Sequence, residues 1–184
     1  MLTIAVIAVL LATGCARPLP RDPQIIPASP SATETREAEV YEQVLRRYLT
    51  TPAENSFPAK TFTTVYVLDS VRSDAGDPMG DTHAGRPIPS DVKARITASL
   101  AQTAAVTFIS DKGSVLDTSS GCATVRDGGI LITLGTIDGD DDQVTVGIEG
   151  YVACLGATWL TYLVHNQPGT GWNVTGTTGP TAVA

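Results

Sequence analysis

The chain predicts an α+β domain: two helices packed on a curved, mainly antiparallel sheet that ends in a four-strand meander. Three observations carry this. First, Gly129–Ile137, Gln143–Cys154, Thr158–His165 and Gly171–Thr175 are rich in β-branched and apolar residues, and DGDDD, LGA and NQPGTG separate them with turn chemistry. Second, two stretches upstream carry apolar residues at helical spacing. Third, the order is helix, strand, helix, then five strands, which suits helices gathered on one face of an antiparallel sheet. The length of 184 residues supports one domain with a real core, and an apolar content of 42% with 17% charged residues is ordinary for a globular protein.

Residues 1–14 precede Cys15 as an apolar run, Leu2 to Ala12, followed by small residues. The run is shorter than the roughly 18–20 residues needed to span a bilayer and has the length of a signal-peptide core. Leu11-Ala12-Thr13-Gly14-Cys15 resembles the lipobox of bacterial lipoproteins. That resemblance implies cleavage before Cys15, a diacylglycerol on its thiol, and an extracytoplasmic protein held to a membrane by lipid. Two or three acyl chains hold stably where one does not.

Residues 15–32 read as a tether. Pro18, Pro20, Pro23, Pro27 and Pro30 fix φ and remove donors, so neither helix nor strand propagates. Extended at about 3.1 Å per residue, the segment reaches on the order of 50 Å.

Residues 33–184 form the domain. Ser31 and Glu34 make a capping box for a helix over Thr33–Leu49, whose inner stripe is Val40, Tyr41, Val44, Leu45, Tyr48 and Leu49. Thr51-Pro52 ends it. Thr61–Asp69 is a strand by composition. Ser70 to Pro87 is a long loop, of the kind that is often functional or mobile. Ile88, Val92, Ile96 and Leu100 step by four along a second helix, with Ser90 as its cap and Asp91 in its first turn. Ala104–Ser110 is a further strand, and Asp111–Asp127 is irregular. Within Gln143–Cys154, strict alternation puts Val144, Val146, Ile148, Val152 and Cys154 on one face, and Gln143, Thr145, Gly147 and Glu149 on the other. Gly150 is expected to mark a bulge or bend. The element order resembles cone-shaped nuclear-transport-factor-2-like domains, and the closing Gly171-Trp172-Asn173-Val174 is similar to their last strand; such folds host both binding proteins and enzymes.

The net charge of −7 argues against a nucleic-acid partner, which needs a Lys/Arg surface. With Cys15 lipidated, Cys122 and Cys154 remain in an oxidising compartment, where a disulfide is expected. Nucleophilic chemistry has only His83 and His165 to draw on, and no G-x-S-x-G or S-x-x-K motif accompanies them. Asp138, Asp140, Asp142 and Glu149 mimic calcium-loop spacing weakly, with Gln143 where that loop requires glycine, so an acidic hairpin tip is the plainer reading. Asp74, Asp77, Asp81 and His83 share the long loop at spacings that fit no standard metal site. No phosphate-cradling glycine motif or cofactor signature is present. Trp159, Tyr162 and Trp172 are candidates to line a pocket at the concave face of the sheet. The expected function is a lipid-anchored cell-envelope module that binds or scaffolds without catalysis. The alternative is a secreted hydrolase using His83 or His165 with a nearby carboxylate.

Overall fold

A computed structural model describes residues 29–57, 62–80, 83 and 85–184. The lipobox and most of the tether lie outside the described residues. Among the described residues no helix is long and apolar enough to cross a membrane.

Helix α1 spans Ala32–Thr50 and begins with the expected capping box: Ser31 Oγ accepts from Glu34 N at 3.2 Å, and Ser31 N donates to Glu34 Oε2 at 2.8 Å. These bonds hold the Glu34 carboxyl below its ordinary range. The stripe from Val40 to Leu49 is buried. Pro52 cannot continue the helix but suits a first helical position, so a one-turn helix α2, Pro52–Asn55, follows at once. Helix α3 spans Ser90–Leu100 and buries Val92, Ile96 and Leu100. Its cap is Pro89 rather than Ser90. The fixed φ of the proline already supplies the extended entry, which leaves Ser90 inside the first turn with its hydroxyl turned to Asp91.

The main strands are β1 (Thr64–Leu68), β2 (Ala105–Ile109), β5 (Ile130–Gly139), β6 (Gln143–Ala153), β7 (Gly156–Gln167) and β8 (Gly171–Val183), and two short ones, β3 (Leu116–Asp117) and β4 (Thr124–Val125), form a ribbon between β2 and β5. The sheet runs β2-β1-β5-β6-β7-β8. Strand β1 pairs in parallel with both β2 and β5, the long loop and α3 supplying the crossover to β2. All other pairs are antiparallel, and β4 takes up the edge of β6 beyond the start of β5 through Thr124 and Ala153. Strand β8 runs eight residues past the expected Thr175; its ladder shifts register between Trp159 and Thr161, where Gly179 at φ 70° and Pro180 sit on the outer edge.

Helices α1 and α3 cover one face. Val144, Val146 and Ile148 of β6 point into that core, each at most 1% exposed. Gly150 is not a bulge: it pairs in register with Ile132 and with Thr158. It is a glycine because the Tyr48 hydroxyl of α1 lies over it, 1.9 Å from where a Cβ would sit. That hydroxyl shares a hydrogen bond with Thr158 Oγ1. Nearby, Tyr162 donates to Glu54 Oε2 at 2.9 Å, Arg47 bonds the same carboxylate, and buried Asn55 donates to Tyr48 O at 2.7 Å while accepting from Phe57 N at 2.9 Å. Burial pushes the Glu54 carboxyl up, but the bonds from Arg47 and Tyr162 outweigh it and hold the group below its ordinary value. Burial also raises the Tyr41, Tyr48 and Tyr162 hydroxyls, so all three stay neutral.

Among the described residues, two straps cover part of the opposite face. The long loop is closed at its ends by pairing of Ser70 with Pro87 and by Val71 N to Arg86 O at 3.0 Å. Around Gly76 it lies on the sheet backbone to backbone, because Gly76 rests on Gly147; a Cβ on Gly147 would come within 2.6 Å of Gly76 N. The second strap is the expected irregular segment, and it carries the β3–β4 ribbon. It buries Val115 and Val125 against Leu68 and Leu131 in a small second core.

Candidate functional site: a groove on the partly covered face

Between the two straps the sheet stays open as a groove. Its floor is built from cross-strand neighbours. Thr133 of β5 lies opposite Glu149 of β6, and Glu149 lies opposite Trp159 of β7; in the next row Leu131 faces Tyr151, and Tyr151 faces Ala157. All of these belong to the positions whose side chains leave the helix-covered core. Leu116 and Lys112 of the second strap form one wall, and Cys154 closes the end, enclosing about 310 Å³. A smaller lobe of about 110 Å³ shares Glu149 and Trp159 and is walled by the long loop through Arg72, Asp74 and Asp77.

The polar groups of the groove are sparsely paired. Asp77 Oδ1 accepts from Met79 N at 2.8 Å, which turns the loop. Asp74 Oδ1 is buried and has no hydrogen-bond partner among the described residues. Glu149 makes no ion pair or side-chain hydrogen bond among the described residues. Tyr151 donates to Ala123 O at 2.7 Å and thereby ties the second strap to the floor.

The aromatic candidates do not converge. Trp159 is on the groove floor, whereas Tyr162 is fully buried beneath α1 and Trp172 is 6% exposed on that same helix-covered side, with the Arg36 guanidinium carbon 5.2 Å from its ring centre. Alternation along β7 separates Trp159 from Tyr162, and helix α1 fills the concavity the three were expected to share. The acidic set also splits. Asp140 Oδ1 accepts from Asp142 N and Gln143 N, each at 2.9 Å, and these bonds hold its carboxyl low. Asp138 accepts from Thr136 at 2.9 Å, and Asp142 is exposed. Asp138 is opposite Thr145, four residues and about 13 Å along β6 from Glu149, so these four groups do not form one shell. Among the described residues no group of three or more His, Cys, Asp or Glu side chains is placed to hold a metal. His83 is exposed on the long loop, whose Asp81 lies outside the described residues. His165 sits at the far end of β7, opposite Gln143 and Asn173, six residues and about 20 Å from Trp159.

Cys122 and Cys154 form a disulfide with a Cα separation of 5.7 Å. The expected partnership holds, but Cys154 is not on the buried face of β6. The ladder shifts between Tyr151 and Ala153, the strand ends there, and Cys154 stands exposed in the β6–β7 turn. The bridge therefore fixes the second strap to the end of the groove. Reduction, or Cys122→Ser with Cys154→Ser, should lower stability by about 3–4 kcal/mol on chain-entropy grounds while leaving far-ultraviolet dichroism intact. Mass spectrometry of the non-reduced domain should find neither cysteine alkylated, and two alkylated thiols would refute the bond.

Sequence reasoning missed Thr133, Tyr151, Arg72 and Asp74 as groove residues. Only the pairing of β5 with β6, and of the loop with the sheet, brings them together. No family model, curated protein or solved structure matches this chain.

Proposed function

We propose that the protein is a lipid-anchored, extracytoplasmic binding module whose ligand seat is the groove floored by Thr133, Glu149 and Trp159. The observation that carries this reading is the groove itself: an aromatic ring and an unpaired carboxylate side by side on a rigid sheet, left open between two straps. Anchoring rests on the apolar run ending in Ala12-Thr13-Gly14-Cys15 and on the proline-rich tether behind it. The hydrolase alternative asks for a histidine beside a nucleophile. Neither His83 nor His165 lines the groove, and His165 is about 20 Å along β7 from it.

Two experiments test the two halves of the proposal. Cys15→Ser should abolish partition into the membrane fraction of expressing cells and leave an unprocessed or soluble form; a mutant that fractionates with membranes as the native form does would end the anchoring half. For the groove, a small-molecule thermal-shift screen on the protein beginning at Ala16 should return compounds that raise the unfolding midpoint, as mass action requires. Those shifts should vanish in Trp159→Ala. Compounds that stabilise the parent and Trp159→Ala equally would place the seat elsewhere.

A further inference from the structure

We propose that the groove binds an organic cation, an ammonium or guanidinium group carried on an apolar body, with the cation between Glu149 and Trp159. This rests on the groove being the binding seat and adds what it selects.

Charge and pairing supply the first argument. Three carboxylates, Glu149, Asp74 and Asp77, face two cations, Arg72 and Lys112, around the two lobes. The two cations stand on opposite walls and neither forms an ion pair among the described residues. Glu149 is central, shared by both lobes, and directly opposite Trp159 across the β6–β7 ladder. A carboxylate beside an indole face is the pairing that favours a cation twice over, through ion attraction and through the ring quadrupole. Asp74 adds negative charge to the wall of the small lobe.

The rim supplies the second argument. The exposed large hydrophobic residues among those described are Met79, Leu155 and Val183, at 89%, 89% and 62% exposure. One such residue on a surface needs no explanation, but Met79 and Leu155 each adjoin residues that line the two lobes. Met79 lies between Pro78 and Gly80 of the small lobe and Leu155 follows Cys154 at the groove end, whereas Val183 pairs with Thr158 and so stands on the helix-covered side of the sheet. Exposed apolar residues next to both lobes suit a ligand whose charged head goes in first and whose body stays at the lip.

The test uses the folded domain beginning at Ala16 and three probes of equal tail length: hexyltrimethylammonium, hexyl glucoside and hexyl sulfate. Binding is followed by backbone amide shifts and by calorimetry. Hexyltrimethylammonium should give saturable shifts at Thr133, Glu149, Tyr151 and Trp159, and should bind at least tenfold more tightly than either of the others. Glu149→Gln should weaken it about tenfold and remove most of its salt dependence. Trp159→Tyr should retain binding and Trp159→Ala should lose it, with the unfolding midpoint of each variant measured alongside. Equal or tighter binding of the glucoside at those residues would overturn the cation while leaving the groove as the seat. Ammonium shifts that map elsewhere, or that survive both Glu149→Gln and Trp159→Ala, would overturn the seat as well. A lack of saturation with all three probes would overturn the cation assignment.

Discussion

Ile148→Asp should leave no folded population at room temperature. Ile148 is fully buried at the centre of β6 beneath α1. Removing its side chain forfeits about 2–3 kcal/mol of apolar burial, and an unpaired carboxylate there costs several more. Together these approach the roughly 5–15 kcal/mol by which domains are stable at all. Circular dichroism and one-dimensional proton spectra of the purified variant read the outcome. Thr145→Asp, three positions earlier on the opposite face, should shift stability by less than about 1 kcal/mol. An Ile148→Asp protein that melts like the parent would mean that the two faces of β6 are reversed.

Gly150→Ala should destabilise the domain by roughly 2–4 kcal/mol, a large effect for one methyl group. The added carbon would lie 1.9 Å from the Tyr48 hydroxyl oxygen and 2.6 Å from the ring carbon that bears it. Tyr48 has nowhere to retreat, since it is fully buried and its hydroxyl is bonded to Thr158. The strain can be relieved only by lifting that end of α1 off the sheet or by losing the hydrogen bond. A double-mutant cycle separates this clash from a general loss of glycine. Tyr48→Ala is costly alone, but combined with Gly150→Ala the total should fall short of the sum by more than about 1 kcal/mol. Strict additivity would show that the contact with Tyr48 is not what requires glycine.

The sequence exposed the local features and concealed the long-range ones. The capping box at Ser31 and Glu34, the stripe from Val40 to Leu49 and the buried Val144, Val146 and Ile148 of β6 follow from periodicity, which each segment carries within itself. The parallel pairing of β1 with β2 and β5 could not be read, because segments such as Thr64–Leu68 and Ala105–Ile109 look alike whichever neighbour they take. Gly150 differs from its expected bulge for a related reason: a glycine within a strand signals close approach or a bulge, and only the position of Tyr48 decides which. Alternation predicts Cys154 on the buried face only if the ladder runs unbroken, and the ladder shifts just before it. The far half of β8 was hidden by Gly176, Gly179 and Pro180, which read as strand breakers until they are seen to lie on an outer edge. The groove floor was the least accessible part. Thr133, Glu149 and Trp159 come from three strands, and only the registers of two hairpins set them in a row.

The course of α1 gives the molecule a polarity. Its first turn is held at the β5–β6 hairpin, where Arg36 bonds the carbonyl of Asp140, and its last turn reaches Gly150 and Thr158. The chain thus enters the domain at one end of β6, while the mouth of the groove lies at the other, near the bridge at Cys154. Val144 and Ala153 are nine residues apart, which along a strand is about 30 Å. Under the proposed N-terminal anchor, the acidic hairpin would be the membrane-proximal pole and the groove the distal one. A molecule approaching from the side away from the lipid would then meet the open mouth first, with the width of the domain between it and the bilayer.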